Sequence, residues 1–270
     1  MADKPGVIIA IDKPPQWTSF QVVGRLKAHL RHTFGLKKFK IGHAGTLDPL
    51  ATGLLLVCVG SATKQIEALQ QGVKRYSGTM VLGATTPCFD LEQPVDTYYP
   101  FQHITPTLLD EVRPRFVGQQ QQVPPSFSAV KVDGQRAYAV AREGDTPLIA
   151  AKSITIYDLQ FTAFRAGDAT FQPPAAIDEV PQQLRQLYRA PLGSIPDGLP
   201  QVDFSVTCSK GTYIRSLARD IGAALGSGAF LGALRRERIG DYTLADAFSI
   251  DQIDALITPD NPRFQPLTNL

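Results

Sequence analysis

A chain of 270 residues, 43% hydrophobic and 19% charged, is too apolar for a disordered or collagen-like protein and long enough to bury a substantial core without staples. Its 22 Gly and 21 Pro imply many turns, which fits a turn-rich α+β or mostly β domain of enzyme size. The net charge of +2, from 27 Lys and Arg against 25 Asp and Glu, says almost nothing by itself about an acidic partner.

Val7 to Asp12 is a short apolar run closed by Lys13-Pro14-Pro15, and it reads as a strand that stops where proline removes the backbone donor. Thr18 and Ser19 offer N-caps to a basic amphipathic helix, with Phe20, Val22, Val23, Leu26 and Leu30 on one face and Arg25, Lys27, His29 and Arg31 elsewhere. Gly35 to Lys40 reads as a charged loop running into GHAGTLDPLATG. Leu54 to Val59 predicts a buried strand, and Ser61 or Thr63 caps a helix that stops near Gly72. Tyr76 to Gly83, Phe127 to Val132, Ile154 to Phe164 and Val202 to Cys208 have β-type composition, while Gln119 to Gln122 is expected to be a solvated polar loop. Thr105-Pro106 opens a short helix. Six prolines between Pro173 and Pro200 interrupt the strand alternation, so 166–200 reads as an insertion loop between two adjacent strands, with a helical turn at Pro181 to Tyr188. Gly211 to Gly226 predicts a helix on which Arg215 and Arg219, four apart, face the same neighbour.

Charge is unevenly spread. Residues 1–75 hold 11 basic and 4 acidic side chains and 206–240 hold 6 and 2, whereas 166–205 (2 against 5) and the last thirty residues (1 against 5) are acidic. Two basic segments that met in space would make a polyanion-facing side; a solvated charged surface is the plain alternative. Cys58, Cys88 and Cys208 form no CxxC pair and have no His at ligand spacing, so neither a zinc site nor a disulfide framework is expected, and Cys58 and Cys208 read as small core residues. With no charged-then-apolar leader and no apolar run near 18 residues, a soluble cytoplasmic protein is expected.

The richest stretch is Gly42 to Leu56. An Asp before Pro is usually a turn former, but Asp48 is surrounded by Gly42, Gly45, Gly53, His43, Thr46 and Thr52 in a loop feeding a buried strand, which holds one acid rigidly at a sheet edge. The string GHAGTLDPLATGLL resembles the catalytic signature of the TruB-type tRNA pseudouridine synthases. Lys74-Arg75-Tyr76, VPPSFSAVKV, AYAVAREG, CSKGTYIRSLARDIG and ALRR resemble that family's further blocks, so the resemblance covers about residues 1 to 250, interrupted at 166–200.

The resemblance implies an α+β fold of the pseudouridine synthase type, with a mixed, mostly antiparallel sheet flanked by helices and loops. It also implies isomerisation of a uridine in the tRNA T loop, position 55, without cofactor or metal. Asp48 would be the essential nucleophile or base and Arg215 its partner, lowering its pKa and fixing its orientation. Tyr76 would stack on the flipped base, Leu234 and Tyr213 would wall the pocket, and His43 would help displace the base. Arg25, Lys27, Arg31, Lys37, Lys38, Lys40, Arg235 and Arg236 are candidate phosphate contacts. On the residues alone, Arg215 can equally be a surface helix arginine, Tyr76 a core aromatic and His43 a cap on the glycine turn. Asp90 follows a run that departs from the family pattern at Cys88 and Gln93 and is left out of the site. Residues 1–255 are expected to form the catalytic domain and 256–270 a short tail, with no complete RNA-binding PUA domain. A monomer with tRNA as its partner, no obligate protein partner and no membrane is the expectation. The rival classes are a non-catalytic tRNA-binding folding chaperone and a phosphate-ester hydrolase, the latter disfavoured by the want of a second carboxylate.

Overall fold

The computed structural model describes residues 6–172, apart from 133, 143, 144 and 146, and residues 195–270. In chain order the elements are β1 (Gly6–Lys13), α1 (Ser19–Phe34), β2 (Ile41–His43), β3 (Thr52–Gly60), α2 (Ile66–Gln71) and β4 (Lys74–Leu82). Next come β5 (Ala84–Thr85), β6 (Thr97–Tyr98), α3 (Pro106–Val112), β7 (Gly118–Gln122), β8 (Lys131–Val132), β9 (Gln135–Arg136) and α4 (Ala137–Arg142). The chain continues through β10 (Lys152–Arg165), β11 (Gln201–Cys208), α5 (Ile214–Ala224), β12 (Ala229–Ile239), β13 (Tyr242–Thr243), β14 (Phe248–Ser249) and α6 (Ile253–Leu256). Two compact units result: Met1–Tyr76 with Leu234–Leu270, and Ser77–Ala233. The fold is α+β.

In the first unit the strands run in the order β14, β1, β3, β12, with β2 also on β3. The sheet is mixed: β1 pairs antiparallel with β3 and parallel with β14, and β12 lies parallel to β3. Both faces are covered, which is why Leu54 to Val59 is an unbroken apolar run rather than an alternating one. Ile9, Ile11, Leu55, Val57 and Val59 point to one side, against Val22, Val23, Leu26 and Leu30 of α1 and against Ile253, Ile257, Phe264 and Leu267 from the end of the chain. Ala10, Leu54 and Leu56 point to the other, against Ala44 and Ile239.

Helix α1 starts on a capping box in which Thr18 Oγ1 accepts from the Gln21 N–H and the Gln21 side chain accepts from the Thr18 N–H, and it ends at Gly35 with φ 63°. Phe20 departs from expectation, being 81% exposed. At 100° per residue it sits about 60° outside the arc marked by Val23, so it belongs to the rim of the apolar stripe. The segment after β3 also differs. It is a 3₁₀ turn over Ser61–Gln65 leading into α2, with no side-chain cap, and Thr63 Oγ1 donates back to the Gly60 carbonyl.

The second unit orders β4, β11, β10 and β7. β10 and β11 are paired antiparallel neighbours, so the 166–200 segment does join adjacent strands; the helical turn expected at Pro181 to Tyr188 lies outside the described residues. Gln119 to Gln122 is not a loop but strand β7, in register with Lys152 to Thr155 of β10. Glutamine is polar enough to hide a strand at a sheet edge, where one face meets water. Phe127 to Val132 yields only the two-residue strand β8. Thr105 caps α3 and Pro106 occupies its first turn, as read. Cys58, Cys88 and Cys208 are buried and free. Among the described residues, no helix is long and apolar enough to cross a membrane.

Candidate active site

The loop between β2 and β3 carries Asp48, and three buried groups fix its backbone. Ala44, Leu47 and Ala51 anchor it in the core. Ser19 Oγ accepts from the Leu47 N–H at 2.9 Å and donates to the Leu47 carbonyl at 3.2 Å. Lys13, fully buried at the end of β1, donates to the carbonyls of Pro14, Trp17 and Pro49 at 2.9, 2.6 and 2.9 Å. Arg236, 2% exposed, donates through Nε to Leu54 O at 2.8 Å, through Nη1 to Thr46 O at 3.2 Å and through Nη2 to Gly45 O at 3.0 Å. Two cations thus grip the loop by its carbonyls on either side of Asp48. Gly53 makes this possible: its φ is 99°, and a Cβ there would lie 2.4 Å from the Arg236 carbonyl. Asp48 itself is half-buried, on a loop whose backbone is already held before substrate arrives.

His43, the last residue of β2, is half-buried, and its Nδ1 is buried without a hydrogen-bond partner among the described residues. Burial and then the Arg236 charge lower its pKa, against an opposing pull from the Gly45 backbone, so the imidazole is neutral at pH 7. Tyr76, 9% exposed, lies on β4. Its neighbour Lys74 is buried and donates to the carbonyls of Gln70 and Gly72. Leu234, half-buried on β12, accepts from Thr52 Oγ1 through its carbonyl at 3.4 Å.

In the second unit Arg215 is not a surface arginine: it is 6% exposed. It donates to the carbonyls of Cys88 at 3.0 Å and Phe127 at 2.9 Å, and its Nε lies 3.6 Å from Asp90 Oδ2. Asp90 Oδ1 in turn accepts from the Cys88 thiol and the Glu92 N–H, both at 2.9 Å. Burial and the Asp90 charge push the Cys88 thiol up to about 12, so it stays a donor at neutral pH. Asp90, set aside on sequence because of Cys88 and Gln93, is therefore part of the Arg215 setting. Tyr213, at the N-cap of α5, is fixed by the Gln122 amide, which accepts from its N–H at 2.8 Å and donates to its carbonyl at 3.1 Å. Arg219 reaches the Val123 carbonyl, so Arg215 and Arg219 do address one neighbouring segment, 123–127.

The basic candidates divide. Lys27 is half-buried, and Arg31, Lys37, Lys38 and Lys40 are exposed. Arg25 is paired with Asp254 at 2.5 Å and Arg235 with Asp12 at 2.7 Å. Arg236 leaves the phosphate set, since its guanidinium is buried and directed at the loop.

The model of the TruB family pseudouridylate synthase N-terminal domain matches residues 31–174, and that of the tRNA pseudouridylate synthase B C-terminal domain matches residues 215–267. A protein of Phocaeicola vulgatus named tRNA pseudouridine synthase B is 44% identical over 92% of this chain and 92% of its own length. One of the same name from Flavobacterium johnsoniae is 45% identical over 91% of this chain and 93% of its own. Among solved structures, a Cbf5-Nop10-Gar1 complex aligns with TM-score 0.62 and 25% identity over 98% of this chain, which spans 59% of that longer one.

Proposed function

The chain belongs to the TruB family of pseudouridylate synthases, and from that premise we infer that it isomerises uridine in tRNA to pseudouridine. The observation that carries the reading is the shared identity with synthases over nine-tenths of both lengths, joined to an aspartate loop rigidly clamped by Lys13 and Arg236. The same relatives weigh against a chaperone without chemistry.

The reaction breaks the bond from uracil N1 to ribose C1′ and forms one from C5 to C1′. The C5 proton is lost and N1 gains one, so no electrons enter or leave. Asp48 is the proposed nucleophile or base, and Arg215 its proposed partner. Tyr76, Leu234 and Tyr213 are the proposed pocket walls, and the neutral His43 is the proposed base-displacing contact, able to enter a loop without adding charge. Lys27, Arg31, Lys37, Lys38, Lys40 and, in part, Arg25 and Arg235 are proposed to meet phosphates. Finer still, the target is proposed to be position 55 of the T loop, acted on by a monomer in the cytoplasm with residues 1–255 as the catalytic domain.

The test is tritium release from tRNA labelled at uridine C5. Wild type is expected to release one tritium per tRNA and Asp48→Ala none, while the variant still binds tRNA. A silent wild type, or an alanine variant that keeps pace with it, would overturn the synthase reading. Carbodiimide mapping of the product tests the position.

A further inference from the structure

Phe20 stands 81% exposed in the first turn of α1, with no packing role in the core that the rest of the helix serves. Its place is specific. The preceding residue, Ser19, holds both backbone groups of Leu47, the residue before Asp48, so Phe20 starts from the same anchor as the reactive loop. Along α1, Gly24, Lys27 and Arg31 follow at i+4, i+7 and i+11, which puts them on one stripe with the phenyl ring. A Cβ added at Gly24 would meet nothing within 4 Å among the described residues, so the backbone there is open to close approach. Lys27 lies roughly 10 Å along the axis from Phe20 and Arg31 roughly 16 Å. Arg25 turns away and is held by Asp254, leaving the stripe to these two cations.

An exposed aromatic face one residue from the anchor of the Asp48 loop, followed by a small residue and two cations, fits a single strand of RNA: a base on the ring and its phosphates on the cations. We propose that Phe20 is a stacking platform for an unpaired nucleotide of the tRNA substrate, next to the uridine that reacts, with Lys27 and Arg31 holding the phosphates that follow. The inference rests on the synthase reading above and adds a substrate-positioning surface to it.

The experiment compares Phe20→Ala, Phe20→Leu and Phe20→Tyr by equilibrium tRNA binding and single-turnover tritium release. Stacking requires that Ala and Leu each weaken binding about 10-fold and that Tyr keep it near wild type. Binding by Phe20→Ala equal to wild type overturns the proposal, and so does rescue by Leu, which would make the contact merely apolar. Phe20→Trp gives a readout independent of any loss: the added indole, measured against the single native Trp17, is quenched on binding tRNA, and an unquenched indole overturns stacking. Wild-type tritium release in the same assay separates the two ideas. If it is absent, the synthase reading fails, whereas the Phe20 binding series still reports on stacking.

Discussion

Asp48 was legible from its motif, but the groups that hold it were not. A lysine ending a strand and an arginine inside ALRR look like surface cations in sequence, and only the tertiary structure shows Lys13 and Arg236 buried against carbonyls. Arg236→Met should leave the carbonyls of Gly45, Thr46 and Leu54 without their charged donor and cost about 3 kcal/mol or more in urea melts. An unchanged midpoint would show that the loop holds itself. His43 carries a pH signature. Its folded pKa is depressed below the unfolded value of 6.5, so the protein takes up a proton there on unfolding. The stability this lends is whole above 6.5 and declines as pH falls toward the folded value. His43→Gln should therefore lose less stability than wild type between pH 7 and 5; parallel losses would remove the depressed pKa.

At the level of elements, the strands and helices that were legible are those with apolar period or a cap. β3 announced itself by an unbroken apolar run, α1 by Thr18 and the apolar face from Val22 to Leu30, α3 by Thr105-Pro106. β7 did not, since four glutamines carry no hydrophobic alternation, yet its pairing with β10 is complete over five residues. Its last residue, Gln122, is 4% exposed and holds the backbone N–H and carbonyl of Tyr213, the residue from which α5 starts. Gln122→Leu should take the side-chain acceptor from the Tyr213 N–H and leave its carbonyl to the Leu217 N–H, at a cost of about 2 kcal/mol. Faster amide exchange at the start of α5 should accompany it. Exchange there at the wild-type rate would show that the amide is dispensable. Because Arg215 is the second residue of that helix, tritium release should fall as well.

For the whole molecule, the near-neutral total conceals a division. The first unit holds 15 Lys and Arg against 10 Asp and Glu, and the second 12 against 15. The basic N-terminal segment was legible by counting; which cations are spoken for was not, because Asp254 is distant in sequence from Arg25 and Asp12 from Arg235. Affinity for tRNA should fall linearly on a log–log plot against salt. Lys37→Gln and Lys38→Gln should each flatten that slope by about 0.9, and Arg236→Lys should leave it unchanged. A slope insensitive to the exposed lysines would remove the phosphate assignment.

The core beneath α1 is closed by Ile257, Phe264 and Leu267, more than 200 residues along the chain from Ile9 and Ile11, which they share it with. During synthesis the ribosome delivers β1, α1 and β3 early but withholds these packing partners until residues 253–267 have been made. The segment Ser77–Ala233 emerges entire in between. The nascent chain must therefore carry an open hydrophobic seam on its oldest part while the middle is being made, and emergence of residues 253–267, rather than of the Asp48 loop, is the event that completes the unit bearing it.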